Sequence, residues 1–475
     1  MFKQKVILNI KPAKQDLFWK KVDDELSFGT FFNAFNLFII KHYTDGKKLT
    51  IKSKFKGEAS VKVIYETKKD KKVLLECPLT ESIEVDLTDL GELGFVYPVF
   101  KGNVELESLT YEVDATERPI STAVIFTTFN RQEFLIPNLY KLNTCERVNK
   151  VIVVDNAKNV VLPDDLPKDK FIVVPNENIG GSGGFTRGMM EAKKLGVTHM
   201  FISDDDITLI PEIHDKALSL ISCLREDVKD TWLGFSMLSN DKPTLQYELG
   251  AKWQGIPLRK NTWQDCTLPE TLHRNQHITE YNYSAWWSLI MPITVLDKYD
   301  YPIPFFIKFD DVEYGLRRKG EDIILTTGFG VWHEDFDKKH AAYLNYYHYR
   351  NGIVTNALHD KHPLWHSLIG YMGKNVKCYL RRRFIELKIL DIAINDYLKG
   401  PEFFINQDIN GRFNEIREIA KQKVNPLKGF LVMPFIQIFY FNKLLFKYNK
   451  AKKLYKKDMH KVMTKEYWEK VFNHD

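Results

Sequence analysis

The sequence predicts an α/β protein in three parts: a β-sandwich over residues 1–118, a ligand-binding α/β domain over 119–350, and a basic helical region over 351–475. Three observations carry this expectation. Short, often alternating apolar runs fill the first part, as half-buried strands require. From residue 119 the runs become apolar on both faces and alternate with helix-like stretches, the pattern of a covered parallel sheet. Beyond residue 350 the pattern is helical and rich in Lys and Arg.

In the first part KVILNI, TFFNAF, LTIKSKF, ASVKVIYET, KVLLECPL, SIEVDL and LESLTYEVD are strand-like, and GK, KG and DG pairs separate some of them. Seven or more such runs suggest a sandwich. In the second part STAVIFTTF, KVIVVDNA, KFIVVPN and HMFISDDD read as sheet strands, with FLIPNLYKLN and GGFTRGMMEAKKLG as crossover helices. In the third, NVKCYLRRRFIELKILDIAINDYL and NKLLFKYNKAKKLYKKDMHKVM read as helices.

Composition bounds the rest. The 475 residues are 44% hydrophobic and 13% aromatic, ample for a large core. The opening Met-Phe-Lys-Gln has no apolar h-region, so no signal peptide is expected. The uncharged stretch from Gly429 to Asn442 is 14 residues long and carries Pro434. A bilayer span needs about 20 residues, so a buried or membrane-surface helix is expected there. Cys77, Cys145, Cys223, Cys266 and Cys378 are scattered without ligand spacing, which points to a reducing compartment and no disulfide or zinc framework. Net charge is +6, yet residues 361–475 hold 23 Lys and Arg against 11 Asp and Glu. A basic tail on an acidic body suggests an anionic membrane surface as partner, with a solvated helical face as the alternative. A nucleic-acid partner is not expected, because the basic excess is confined to one end and no recognition motif accompanies it.

Candidate chemistry lies at strand ends, where open α/β sheets bind ligands. Asp204, Asp205 and Asp206 close the HMFISDDD run. Carboxylates this close repel, so solvent, a basic side chain or a metal must balance them. In FTTFNRQE, Arg131 is available to a base or phosphate, or Thr and Asn simply cap a helix. In VVDNA, Asp155 can accept from a uracil N–H or a ribose hydroxyl, or Asp155 and Asn156 form a turn. NENIGGSGGFTRGM sets Gly180, Gly181, Gly183 and Gly184 before a helix expected over roughly Phe185 to Leu195. Such a segment allows close backbone approach and offers N–H groups to an anion. Arg187 in the first turn would oppose the helix dipole, a cost that an anionic ligand offsets. The segment is neither a GxGxxG nor a GxxxxGKS motif.

Trp286 and Trp287 are adjacent on an expected strand, so they point to opposite faces. One can join the core while the other lines a cleft, or both are core. PFFIKFDDVEYG places Asp310, Asp311 and Glu313 after an expected buried strand, or at a helix N-terminus. GFGVWHEDF places His333 after another strand. Asp204, Asp206 and His333 make a divalent-metal ligand set if the strand ends converge. A carboxylate away from the metal is what a general base requires.

Together TTFNR (127–131), NIGGSGGFTRG (178–188), DDD (204–206), the tryptophan pair (286–287), FIKFDDVEYG (306–315) and WHEDF (332–336) resemble the nucleotide-sugar glycosyltransferases of the GT-A fold. The match is closest to the bacterial polymerising galactofuranosyltransferases and covers roughly residues 120–350. This resemblance implies a GT-A nucleotide-sugar-binding domain, with Mn²⁺ or Mg²⁺ held by Asp204, Asp206 and His333. It implies Asp311 as the base. Donor contacts are expected from Thr128, Phe129, Arg131, Asp155, Asn156 and Asp205, and from Asn178, Gly180, Gly181 and Arg187 of the glycine-rich segment. Acceptor contacts are expected from Trp286, Trp287, Asp310 and Glu248. The implied reaction moves galactofuranose from UDP-galactofuranose to a glycan or lipid-linked acceptor, with inversion, at the cytoplasmic face of the cell membrane. Rhamnose or another nucleotide sugar is an alternative donor, a non-catalytic carbohydrate-binding scaffold is an alternative role, and homo-oligomerisation stays open.

Overall fold

The computed structural model describes residues 1–259, 261–336 and 341–473. Its first layer is a single eight-stranded antiparallel sheet built on two 19-residue strands, β1 (Lys48–Glu66) and β2 (Phe95–Val113). These pair along their whole length, so the expected sandwich of separate sheets is replaced by one connected sheet. LTIKSKF and ASVKVIYET read as two strands because Gly57 between them looks like a turn. It sits instead at positive φ inside one strand, close to a register shift at Lys54/Phe55.

The second sheet has nine strands. In chain order its main members are β3 (Thr122–Thr128), β4 (Lys150–Asp155), β5 (Phe171–Pro175), β6 (His199–Asp204), β7 (Trp232–Ser239), β8 (Leu245–Glu248), β9 (Ser288–Pro292) and β10 (Ile323–His333). Their spatial order is β5-β4-β3-β6-β9-β7-β8, with β10 beside β7. Strands β5, β4, β3 and β6 are parallel, β9 runs against both β6 and β7, and β10 is parallel to β7. Two reversals restore direction, so β3, β4, β6 and β10 all end on one edge. The chain steps outward from β3 to β5 and returns to the other side of β3 at β6, which creates a switch-point crevice at that edge.

Strict alternation sorts the strand side chains into two cores. Val124, Phe126, Val151 and Val153 join the N-terminal sheet and the helix α1 (Gln132–Asn143). Ala123, Ile125, Ile152 and Val154 join the helix α2 (Gly180–Lys194) and the C-terminal helices. In the first core lies Lys216, on the helix α3 (Pro211–Ser222) and 4% exposed. Among the described residues, its Nζ reaches the Phe32 and Gly328 carbonyl oxygens, both at 3.4 Å, and the Phe329 ring. Burial lowers its pKa from 10.5 to about 7. The unfolded chain therefore binds one more proton than the folded protein between these values, and stability rises with pH across that window. Lys216→Met should raise the melting temperature most at pH 7 and below, with the gain shrinking towards pH 10. Melting curves across pH check this; an unchanged or lower melting temperature at pH 6 counts against it.

The remaining helices include α4 (Asp310–Leu316), α5 (Leu344–His359), α6 (Pro363–Leu380), α7 (Phe384–Leu398) and α8 (Pro426–Asp458). The expected boundary at 350/351 falls inside α5. Helix α8 passes Pro434 unbroken. Proline there leaves the Phe430 carbonyl without its helical donor, and the Tyr379 hydroxyl donates to it at 3.3 Å. The segment Pro426–Val462 is long and apolar enough to cross a membrane by length and composition, and its most apolar window is only 17% buried. Trp365, Ile369, Met372, Val376 and Leu380 form an exposed apolar row on α6. Leu431, Phe435, Ile438 and Phe439 form another on α8, which packs against α6.

Candidate functional site

Asp204 ends β6 and His333 ends β10, so the shared edge brings the triple aspartate and the histidine together. His333 Nε2 lies 2.8 Å from Asp206 Oδ1 and 3.7 Å from Asp204 Oδ2. One ligand atom from each of the three residues lies within 4.8 Å of the others. On the far side of the ring, Nδ1 is 2.6 Å from the Glu334 carbonyl oxygen. That contact makes Nδ1 a donor and turns Nε2 towards the carboxylates, where it can hold either a proton, donated to Asp206, or a metal ion, as histidine metal ligands do. The donor set of two hard oxygens and one imidazole fits a divalent cation.

Two cations answer the charge of the aspartates within the protein itself. His333 is one. Arg131, just beyond β3, is the other: its Nη1 is 2.8 Å from Asp206 Oδ2 and 3.3 Å from Asp205 Oδ1. Burial pushes the Asp204 carboxyl up to about 7, with His333 opposing and Asp206 adding to the rise. Asp204 nonetheless keeps 32% of its side chain exposed, so it forms the floor of an open crevice. Burial also raises Asp205, against the Thr128 hydroxyl and Arg131. For Arg131, burial is outweighed by Asp206 and Asp205, which raise its pKa.

Asp310 and Asp311 form the opposite wall. The expected buried strand FFIKF is absent: Phe306, Lys308 and Phe309 all take left-handed backbone, with φ of 73°, 68° and 74°. Left-handed conformation costs a non-glycine residue about 1–2 kcal/mol. Phe309 is the N-cap of α4, and Asp310 and Asp311 open that helix. Asp311 Oδ1 accepts from the Val312 N–H at 2.8 Å. Burial, then Asp311, raises Asp310 to about 7; burial raises Asp311, with the Val312 N–H, Lys308 and Arg259 opposing. Glu313 takes no part in this wall. It is buried against Arg317 and His359, which outweigh burial and bring it down to about 2.

Helix α2 begins at Gly180, five residues earlier than expected, and Asn178 Oδ1 accepts from the Gly180 N–H at 3.3 Å. Its N-terminus is partly filled from within. The Ser182 N–H donates to the Phe306 carbonyl at 3.3 Å, and a Cβ on Gly180 would collide with that same oxygen. Gly184 is required by the Thr127 side chain, whereas Gly181 has room and faces Asp310. The longer helix moves Arg187 out of the first turn. Its Nε pairs with Glu191 at 3.1 Å and its guanidinium lies over Phe472, so the argument from the helix dipole does not apply.

The other expected donor residues divide. Asp155 accepts from the Ala157 and Val160 N–H groups, so it shapes its own turn. Asn156 donates to Thr127 Oγ1 and the Gly180 carbonyl, tying β4 to α2. Phe129, just beyond β3, is 47% exposed. Trp286 and Trp287 lie in a turn just before β9 rather than on a strand; they enter different cores, and both are only 4% exposed. Glu248 ends β8, and burial raises it to about 7, opposed by Arg259 at 2.8 Å. Asp311 adds to the rise. Arg259 and Tyr283 complete this corner. Neither has a motif around it, and only their spatial convergence on Glu248 identifies them.

No family model matches the chain. Two curated proteins do, both named galactofuranosyltransferase GlfT2. The one from Mycolicibacterium smegmatis is 26% identical over 425 residues, covering 80% of this chain and 65% of its own length. The one from Mycobacterium tuberculosis is 26% identical over 427 residues, covering 80% of this chain and 66% of its own. The chain thus spans about two thirds of the length of the relatives it matches. Among solved structures, a mannosyltransferase from Pyrobaculum calidifontis in complex with GDP-Man and Mn²⁺ overlaps 70% of this chain and 90% of its own, at 13% identity and a TM-score of 0.35. TarS of S. aureus overlaps 71% of this chain and 55% of its own, at the same identity and score. Across four fifths of its length, the chain is similar to two proteins named galactofuranosyltransferase, the group that its motifs resemble.

Proposed function

We propose that the protein is an inverting, metal-dependent glycosyltransferase that moves galactofuranose from UDP-galactofuranose to a hydroxyl of a glycan or lipid-linked acceptor. The observation that carries this is the crevice between the Asp204–Asp206–His333 cluster and the Asp310–Asp311 wall. Asp204, Asp206 and His333 would hold Mn²⁺ or Mg²⁺, which when bound supplies positive charge to the diphosphate leaving group. Arg131 holds Asp206 from behind, and Phe129 offers a ring face to the uracil. Asp311 takes the proton of the acceptor hydroxyl as its oxygen attacks the anomeric carbon. The bond from that carbon to the diphosphate breaks, its electron pair leaves with UDP, and configuration inverts. Glu248 and Asp310 orient the acceptor. Trp286 and Trp287 back the acceptor wall from within the cores.

A hydrolysis screen across UDP-, dTDP- and GDP-sugars, with and without Mn²⁺, tests this reading. UDP-galactofuranose should be turned over, and only with metal. Preference for dTDP-rhamnose would move the protein to the alternative donor, and no turnover of any donor would favour a binding scaffold.

We further propose that the α6 and α8 rows lie on the inner face of an anionic membrane, where a lipid-linked acceptor resides. Exposed Lys377, Arg381, Arg382, Lys428, Lys447 and Lys450 belong to the same region. Near anionic lipid, each basic residue contributes about 1 kcal/mol. Flotation with anionic vesicles should capture the protein at low salt. Trp365→Ser combined with Phe435→Ser should weaken capture at least about tenfold, since each buried ring contributes about 1.5–3 kcal/mol. Equal capture by neutral vesicles at high salt would refute the electrostatic part.

A further inference from the structure

The left-handed segment ahead of Asp310 is fixed from two sides. From α2, Ser182 Oγ accepts from the Phe306 N–H at 2.8 Å, while the Ser182 N–H holds the Phe306 carbonyl. From α5, Asn351 Nδ2 donates to the carbonyl oxygens of Phe305, Ile307 and Lys308 at 3.3, 3.0 and 2.8 Å. Asn351 is completely buried, and its Oδ1 accepts from Arg350 Nε at 2.8 Å. Arg350 also donates to the Phe305 carbonyl at 2.8 Å.

Arg350 is fully buried, and among the described residues no carboxylate pairs with it directly. Its guanidinium lies instead 5.0–5.3 Å from the ring centroids of Tyr346, Tyr347, Phe403 and Phe404. A buried charge is costly unless its hydrogen bonds are satisfied. Here those bonds go to the Phe305 carbonyl, to the Asn351 side chain that grips the strained segment and, from Nη1 at 3.2 Å, to the Tyr346 hydroxyl. Rings anchor the same segment: Phe306 stacks on Tyr347 and Phe413, and Phe309 meets Trp253 and His348 edge-on. The left-handed residues sit immediately before the acidic wall, and strain persists only where surroundings over-determine it.

We propose that Asn351, oriented by Arg350, is a positioning residue that clamps the 305–309 segment and thereby sets Asp310 and Asp311 across the crevice from the aspartate–histidine cluster. Neither side chain touches the crevice. The clamp acts through backbone carbonyls, so donor binding on the β3, β4 and β6 side is independent of it. The proposal rests on Asp311 serving as the base.

The test uses full-length Asn351→Ser, which shortens the donor, and Arg350→Lys, which keeps the charge but loses the fork that reaches Asn351 and Phe305 together. Amide hydrogen exchange should quicken at residues 305–311 while β3, β6 and β10 stay protected. UDP affinity with Mn²⁺ should stay within about threefold of wild type. Transfer turnover per UDP-binding molecule should fall at least about tenfold, with the acceptor KM changed less than kcat. A purely structural role would lower the fraction of folded protein without changing turnover per binding molecule. Unchanged exchange at 305–311, or turnover per binding site within about twofold, overturns the clamp. If one variant does not fold, the other decides by the same two measurements. A wild-type protein that turns over no donor defeats the functional reading, and the exchange data then decide whether the clamp exists.

Discussion

Asp206→Ala is expected to lower donor turnover by at least about a hundredfold and to remove the metal dependence of UDP binding. Asp206 lies between the two cations of the site, 2.8 Å from both His333 Nε2 and Arg131 Nη1. Its loss removes a hard ligand and one of the two carboxylates that hold Arg131. Fixed charges that meet a leaving group typically matter by about 10²–10³ in rate. Asp204→Ala should do the same, since it offers the other carboxylate of the set. Titration calorimetry of UDP with and without Mn²⁺, beside a turnover assay, is the check. Wild-type metal-dependent binding in either variant, or full activity in EDTA, refutes the metal assignment.

Asp311→Asn is expected to fold, to bind UDP and Mn²⁺ as wild type does, and to lose transfer by at least about 10². The amide oxygen can still accept from the Val312 N–H, so the helix start is kept. What it cannot do is take a proton. Stability gives an independent reading. Burial raises the Asp311 pKa, so the folded protein keeps that proton at pH values where the unfolded chain has lost it. Stability therefore falls as pH climbs above the unfolded value of about 4. Asparagine is free of this loss, and the variant should melt at or above the wild-type temperature near pH 7. If Asp311 only supported the helix start, asparagine would serve there as well and both stability and turnover would stay near wild type. Melting temperature, UDP affinity and transfer rate on the one variant separate these outcomes.

The strand ends were legible in the sequence because local pattern determines them. STAVIFTTF, VIVVD, HMFISD and GVWH stop where the apolar run meets polar residues, and those stops converge on one edge. Features set by distant contacts were not legible. FFIKF has a strand composition, yet Arg350 and Asn351, more than 40 residues away, hold it in left-handed turns. Nothing in Phe306, Lys308 or Phe309 announces positive φ, since only glycine or asparagine usually signals it. The start of α2 was misplaced because glycine reads as a breaker. Gly184 and Gly188 instead face Thr127 and Ile125 where the helix lies on the sheet. Glu248 was reached only through resemblance, and its partner Arg259 was missed because an arginine in a polar stretch carries no local signal.

The way the central sheet divides its side chains between two cores bears on how the protein can be dissected. One face is completed by residues before position 119 and the other by residues after position 350. A fragment cut at those positions would present both sides of its sheet to water and should aggregate rather than bind nucleotide. Exchange of donor or acceptor preference with a relative is therefore better attempted by grafting crevice side chains than by swapping whole segments.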